Sequence, residues 1–431
     1  MEIKLKITDF NSDGGGVGRD ENGRVTMVLG AVPGDIVTVA IGQVSKGVAF
    51  GTVLEIIEPS EFRVDHPCPY YNEGCAGSML GGFDHEEGLK WKQKHLRETL
   101  KRIGGIDDPK IDETVAAPDR YGYRDRVELQ IFTSDDGIRT GYVGPGGLVP
   151  VSRCLLASEA VSGGLSNFLK VAANFDGGLP DGHFRLLLKD NGKGGCLGIL
   201  FSEKITPGSD IIELLDKCGL AGWQIRITGR MDLRFNRSWV AAKNGDTVML
   251  RKIGDKEIEL PPTVFTQANG KMEKLLHERV FSEFEDDKKV LDLYGGFGAM
   301  GLSYVLRKGG RSVIVESSFD AVKAGRDFAK QENLKVKFHG IDLSKSSLAE
   351  FRTIEADYAI LDPPRKGADK NVIDFLNNGK FRKIIYVSCH PAALARDLKR
   401  LSAYSAISFT PFDMFPNTPE LETAAVLEPA N

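Results

Sequence analysis

The chain is expected to fold as three units: a small N-terminal β-barrel, a central α+β domain, and a C-terminal α/β domain built on a mostly parallel, doubly wound sheet. Three observations predict this. Residues 1–58 carry short β-branched runs separated by glycine-rich turns, and within residues 59–261 a helical segment is followed from about residue 120 by strand-like runs. From residue 262 to 431 strands alternate with amphipathic segments. A length of 431 residues also exceeds one ordinary domain.

Composition bounds the function without naming it. Hydrophobic residues make up 41% and charged residues 27%, as in an ordinary globular protein. No run approaches a membrane span, and Met1-Glu2-Ile3-Lys4-Leu5-Lys6 lacks a signal-peptide core. Six cysteines in so long a chain do not make a disulfide scaffold, so reduced thiols and a cytoplasmic location are expected. The formal charge of −4 does not advertise nucleic-acid binding, yet a phosphate-binding surface needs only a local basic patch.

In the first unit, strands are expected at 1–7, 24–29, 36–41 and 51–56. The run Asp13-Gly14-Gly15-Gly16-Val17-Gly18 lacks a Gly-Lys-Ser/Thr ending and precedes no amphipathic helix, so it reads as a hairpin turn. Pro59 marks a boundary. A segment bearing Cys68, Cys75 and Ser78 then leads to a helix over 85–102. Lys90, Lys94, Arg97 and Lys101 share one face of it, and Leu89, Leu96, Leu100 and Ile103 another. The basic stripe is either a solvated surface or a phosphate contact.

Central strands are expected at 127–132, 184–188, 197–201, 223–227 and 238–242. Tyr121-Gly122-Tyr123-Arg124-Asp125-Arg126 combines aromatics with arginines, as base stacking and phosphate pairing require, though ordinary surfaces hold both. Cys196 and Cys218 read as core. In the last unit, strands are expected at 290–294, 312–316, 336–342, 358–362 and 383–387, with 407–414 and 421–427 closing the chain as an antiparallel pair.

Val290-Leu-Asp292-Leu-Tyr294-Gly295-Gly296-Phe297-Gly298-Ala-Met-Gly301 is a strand entering a glycine turn and then a helix. Such a turn lets a nucleoside approach the backbone in a Rossmann-like domain. Gly296, Gly298 and Gly301 satisfy G-x-G-x-x-G, and Glu316 ends the next strand where a ribose-binding acid belongs. A nicotinamide oxidoreductase therefore stays open. Against it, Asp292, Asp342 and Asp362 each close a strand, and an acid-rich cleft suits a sulfonium cation better than a pyrophosphate. Helix capping is the plainer reading of such acids. Asp362-Pro363-Pro364-Arg365-Lys366-Gly367 adds a stiff turn followed by two cations. Residues 383–387 then run as an apolar strand into Ser388-Cys389-His390-Pro391, which in a parallel sheet places a thiol at the carboxyl edge.

Here the sequence resembles the RNA uracil-5-methyltransferase family. The match lies in Phe265-Thr-Gln267-Ala-Asn269, Asp292-Leu-Tyr294-Gly-Gly-Phe-Gly, Asp362-Pro-Pro-Arg-Lys-Gly, Val387-Ser-Cys389-His-Pro391 and Phe415-Pro-Asn-Thr-Pro-Glu-Leu-Glu422-Thr, in family order. Gly15-Gly16-Val17-Gly18 and Val32-Pro33-Gly34-Asp35 resemble the TRAM RNA-binding module. The resemblance implies S-adenosylmethionine-dependent methylation of uridine C5 in RNA, with 23S ribosomal RNA favoured over tRNA; a monomer is the default expectation. It implies Cys389 as nucleophile and Glu422 as base, with Gln267, Tyr294, Glu316, Asp342 and Asp362 lining the cofactor site. Glu420 lies nearby, but only Glu422 matches the family pattern.

The chemistry asks for such a set. Uracil C5 is a poor nucleophile until a thiolate adds to C6, and the C5 proton must later leave to a base. The target uridine must also leave its stack. Two departures stand out. Cys68, Cys75 and Cys154 fall at three of the positions that hold an iron–sulfur cluster in many relatives, while Ser78 occupies the remaining one. A cluster with a serine or open ligand stays open, and loss is the expectation. His390 stands where relatives carry asparagine, and either tunes the thiol or caps the turn. A catalytically silent RNA-binding relative is the other alternative, opposed by the presence of both Cys389 and Glu422.

Overall fold

The computed structural model describes residues 2–71, 73–134, 137–144, 147–177, 180–203, 208–229, 238–346, 348–351 and 354–430; Met1 of the first expected strand lies outside them. The N-terminal unit is a closed five-stranded barrel, from Glu2–Phe10 to Val48–Glu58. Inward positions such as Leu5, Ile7, Val28, Val37 and Val39 alternate with exposed ones, the period-two pattern of a half-buried strand. The glycine run makes the hairpin between Glu2–Phe10 and Gly16–Arg19.

The central unit is a seven-stranded mixed sheet with the helices Glu159–Ala173 and Ser209–Lys217 packed on one face. Its five sequence-expected strands all form. On the other face, Leu187, Leu197, Ile199 and Phe201 join Phe297, Ile314 and Phe328 in a core shared with the C-terminal unit. Large apolar side chains from both units exclude water together, so the two units are packed as one body there.

The C-terminal sheet has strands β1 (Lys289–Leu293), β2 (Arg311–Glu316), β3 (Val336–Gly340), β4 (Tyr358–Leu361), β5 (Lys383–Ser388), β6 (Tyr404–Phe412) and β7 (Glu422–Pro429). Their order is β3-β2-β1-β4-β5-β7-β6. The first five are parallel, and β7 enters antiparallel between β5 and β6. Strand order reverses between β1 and β4, which opens a crevice at their carboxyl ends. Among the described residues no helix is long and apolar enough to cross a membrane.

Candidate active site

The glycine turn after β1 is built for close approach. Gly298 has φ 93°, and a Cβ there would meet Ile314 at 2.8 Å and Phe338 at 2.9 Å. A Cβ on Gly301 would meet the Ser312 Oγ at 2.6 Å. Even Tyr294 adopts a left-handed φ of 61°, with its hydroxyl accepting a hydrogen bond from Asp369 N at 3.3 Å. Asp292 Oδ2 accepts from Gly301 N at 2.9 Å and so caps the helix Ala299–Lys308, whose N-cap Gly298 has no side chain to offer. Capping therefore accounts for half of this carboxylate. Its Oδ1 is buried without a hydrogen-bond partner, and burial raises its pKa to about 7.

Glu316 lies one strand over. Its Oε2 accepts from Gly296 N at 3.1 Å, and Oε1 accepts from Ser317 N and Ser318 N at 2.6 and 2.7 Å. These bonds bring the end of β2 onto the glycine turn. Asp342 behaves differently: its carboxylate bonds Ser344 and pairs with Lys345 at 3.1 Å, within its own turn. The Ser344 and Lys345 bonds hold its pKa below the usual carboxylate value. The residues around the turn suit a cationic nucleoside cofactor, with an open backbone, an unpartnered buried oxygen and no cation paired to Asp292 among the described residues.

The thiol stands across from a carboxylate. The antiparallel register pairs Ser388 with Thr423, which carries Cys389 to the position opposite Glu422. Glu422 is 4% exposed, and its Oε2 has no hydrogen-bond partner. Burial, then Asp362 and Glu420, push its pKa well above the usual value, with Arg365 opposing. Asp362 follows β4, with burial raising it to about 7. The Cys389 thiol is pushed up to about 12 by burial, then by Glu422 and Asp362, with Arg365 again opposing. Arg365 is exposed and pairs with Glu420 at 3.1 Å. His390 caps the helix Pro391–Arg400: its Nδ1 accepts from Ala393 N at 3.1 Å. That bond needs an unprotonated Nδ1, in keeping with a pKa lowered by burial.

A cleft of about 1170 Å³ runs between the barrel and the central sheet and reaches Arg365 and Glu420. Cys68, Cys75 and Cys154 share its wall with Tyr70 and Tyr142. Ser78 is buried beside them. Among the described residues, no three His, Cys, Asp or Glu side chains are grouped so as to hold a single metal ion. Burial, and to a lesser degree the neighbouring Cys154, raise the pKa of Cys68 and Cys75. Cys196 and Cys218 are buried in the core.

Gln267 is half-buried on a segment clamped from both sides. Arg126 Nη1 donates to Thr266 O at 2.6 Å, Arg251 Nη2 donates to Thr266 Oγ1 at 2.9 Å, and Lys189 donates to Pro262 O and Val264 O. Asn269 caps the next helix and donates to Met414 O at 3.2 Å. The Tyr121–Arg126 run thus turns largely inward: Tyr123 is buried, Asp125 pairs with Arg251, and Arg124 lies over Phe415. The helix stripe is internally paired in part, Lys90 with Glu87 and Lys94 with Asp9 of the barrel. Sequence reasoning missed Lys92 and Glu273. Lys92 had a visible signal, because it sits between Leu89 and Leu96 on the apolar face. Glu273 had none: an acid in a first helical turn is ordinary, but here burial raises it to about 7 near Arg251 and Asp362.

Fold and site define a methyltransferase built on a doubly wound sheet. A family model described as tRNA (uracil-5-)-methyltransferase matches residues 209–430, and a TRAM domain model matches residues 1–54. The chain belongs to the tRNA (uracil-5-)-methyltransferase family, and it is an S-adenosylmethionine-dependent enzyme that methylates uracil C5 in RNA. The nicotinamide oxidoreductase reading falls with that. It is 27% identical to the 23S rRNA (uracil(1939)-C(5))-methyltransferase RlmD of Shewanella denitrificans, over 99% of this chain and 96% of the relative. An uncharacterized RNA methyltransferase of Clostridium tetani is also 27% identical, over 98% and 95%. The Pyrococcus abyssi tRNA (uracil-54, C5)-methyltransferase, solved with S-adenosyl-L-homocysteine, shares the fold with a TM-score of 0.75. It is 22% identical, over 99% of this chain and 100% of that one.

Proposed function

We propose that this enzyme works through a covalent adduct between Cys389 and uracil C6, with Glu422 as the base that removes the C5 proton. The observation that carries the reading is the pairing across β5 and β7, which sets a thiol opposite a buried carboxylate lacking a hydrogen-bond partner on Oε2. The resting thiol is neutral by its raised pKa, so its proton passes to a neighbouring base, read as the Asp362 carboxylate, as the sulfur attacks C6. Asp362, half-buried beside both groups, is read as facing the uracil edge as well as the cofactor. Gln267, Tyr294, Glu316 and Asp342 are read as the remaining cofactor residues, with Asp342 first leaving its turn. S-adenosylmethionine supplies an electrophilic methyl group.

The RNA is read as lying along the cleft that ends at Arg365, where an incoming phosphate replaces the Glu420 carboxylate. Large-subunit ribosomal RNA is favoured over tRNA, on the likeness to the Shewanella denitrificans enzyme and the TRAM barrel. A monomer is the default reading, and six free cysteines suit a cytoplasmic location. The test is 5-fluorouridine-substituted ribosomal RNA and tRNA with S-adenosylmethionine, comparing wild type with Cys389→Ala. Fluorine does not leave C5 as a proton, so a methylated covalent adduct should persist on one RNA and vanish in the variant. An adduct on neither RNA, with cofactor binding intact, would sink the covalent reading.

A further inference from the structure

One buried lysine holds the loop that delivers the base. Lys92, on the helix His85–Thr99, is 2% exposed. Its Nζ donates to the Asp413 carboxylate, to Phe415 O at 3.3 Å and to Glu420 O at 2.7 Å. Three acceptors match the three N–H donors of an ammonium group. They stand at both ends of the segment between β6 and β7: Asp413 and Phe415 where the chain leaves β6, Glu420 two residues before Glu422. The middle is fastened separately. Leu80 N donates to Asn417 O at 2.8 Å, and Arg120 Nη2 donates to Asn417 Oδ1 at 3.0 Å. A lysine serving only to neutralise Asp413 would have no reason to gather carbonyls from both ends of the loop.

We propose that Lys92 is a positioning residue for Glu422. By tying Asp413, Phe415 and Glu420 together it determines where β7 begins, and so where the carboxylate meets the C5 proton. The inference rests on the reading of Glu422 as base. In that step the C5 carbon already bears the new methyl group, and Cys389 Sγ is bonded to C6. The Glu422 carboxylate takes the C5 proton, the C–H electron pair becomes the C5–C6 double bond, and the C6–S bond breaks with its pair returning to sulfur. A displaced carboxylate slows this elimination and leaves the earlier addition untouched.

The experiment compares wild type, Lys92→Met and Glu422→Gln on uridine RNA and on 5-fluorouridine RNA. For Lys92→Met, kcat should fall about 10²-fold, with KM for RNA and S-adenosylmethionine within about threefold of wild type. A methylated RNA–protein adduct should then accumulate on ordinary uridine RNA, while trapping on 5-fluorouridine RNA keeps its wild-type rate. Unchanged turnover, or equal loss of trapping and turnover, overturns the proposal. If Glu422→Gln accumulates adduct and Lys92→Met does not, the Lys92 inference alone falls. If Glu422→Gln traps normally on 5-fluorouridine RNA yet accumulates nothing on uridine RNA, the base assignment falls and takes the inference with it. Should Lys92→Met fail to fold, Lys92→Met/Asp413→Asn, which leaves no buried unpaired charge, is read the same way.

Discussion

Buried charges are treated in opposite ways at the domain seams and at the carboxyl edge of the catalytic sheet. At the seams three are ion-paired, Asp35 with Arg63, Lys92 with Asp413 and Asp125 with Arg251, while Lys189 is held by the Pro262 and Val264 carbonyls. At the sheet edge Asp292, Asp362 and Glu422 are held above their usual pKa values, chiefly by burial, and among the described residues none has an ion pair. A seam needs a fixed geometry, and a satisfied pair supplies it. A reaction needs groups that take up or release a proton, and burial without a counter-charge keeps them ready. On the proposed mechanism, the same desolvation serves docking in one place and chemistry in the other.

The largest expected break in this contrast is Glu422→Gln. Removing a general base should lower turnover by about 10²–10⁴-fold, read as methyl transfer to RNA, with cofactor binding retained. Asp35→Ala should come next. Asp35 accepts from Val32 N and Ser60 N at 2.8 and 2.9 Å as well as from Arg63, so its loss should cost about 3 kcal/mol by denaturant unfolding.

Asp35 and Asp292 should also answer pH in opposite senses. Burial works to raise Asp35, but Arg63 and the two backbone N–H groups outweigh it and hold it low. Its contribution is present above the unfolded carboxylate pKa and is lost as pH falls through the depressed one. Asp292 is raised from 3.8 to about 7, so stability it confers below pH 4 is lost as pH climbs toward 7. Asp292→Asn keeps an acceptor for Gly301 N and should gain on the order of 2 kcal/mol relative to wild type at pH 8, with no gain at pH 4. A variant whose pH profile matches wild type would sink that account. The smallest effect should be Lys94→Ala, whose partner Asp9 lies at 2.7 Å on the surface. Thermal unfolding should register less than about 1 kcal/mol.

Much of this was legible in the chain order. The glycine turn, the strand ending in Cys389 and the acid closing β2 are local patterns, because strand period and turn chemistry are set by residues a few positions apart. The expected strand at 336–342 ends early, at Gly340: Ile341 N still donates to Glu316 O, and the Asp342 carboxylate then accepts from Ser344 N and turns the chain. The two readings of His390 were separable only by its bond to Ala393 N. The arginines of the Tyr121–Arg126 run looked suited to RNA, and packing turned Arg126 onto Thr266 instead.

The sequence by itself determined the three-unit architecture and the glycine turn, and it singled out Cys389 and Glu422, the thiol and carboxylate of the proposed mechanism. Only the tertiary structure decided which charges are paired. Lys92 and Asp413 are 321 residues apart, and no local rule connects them. A buried ion finds its partner wherever the folded chain brings an opposite charge within hydrogen-bond reach, and that depends on how whole units pack.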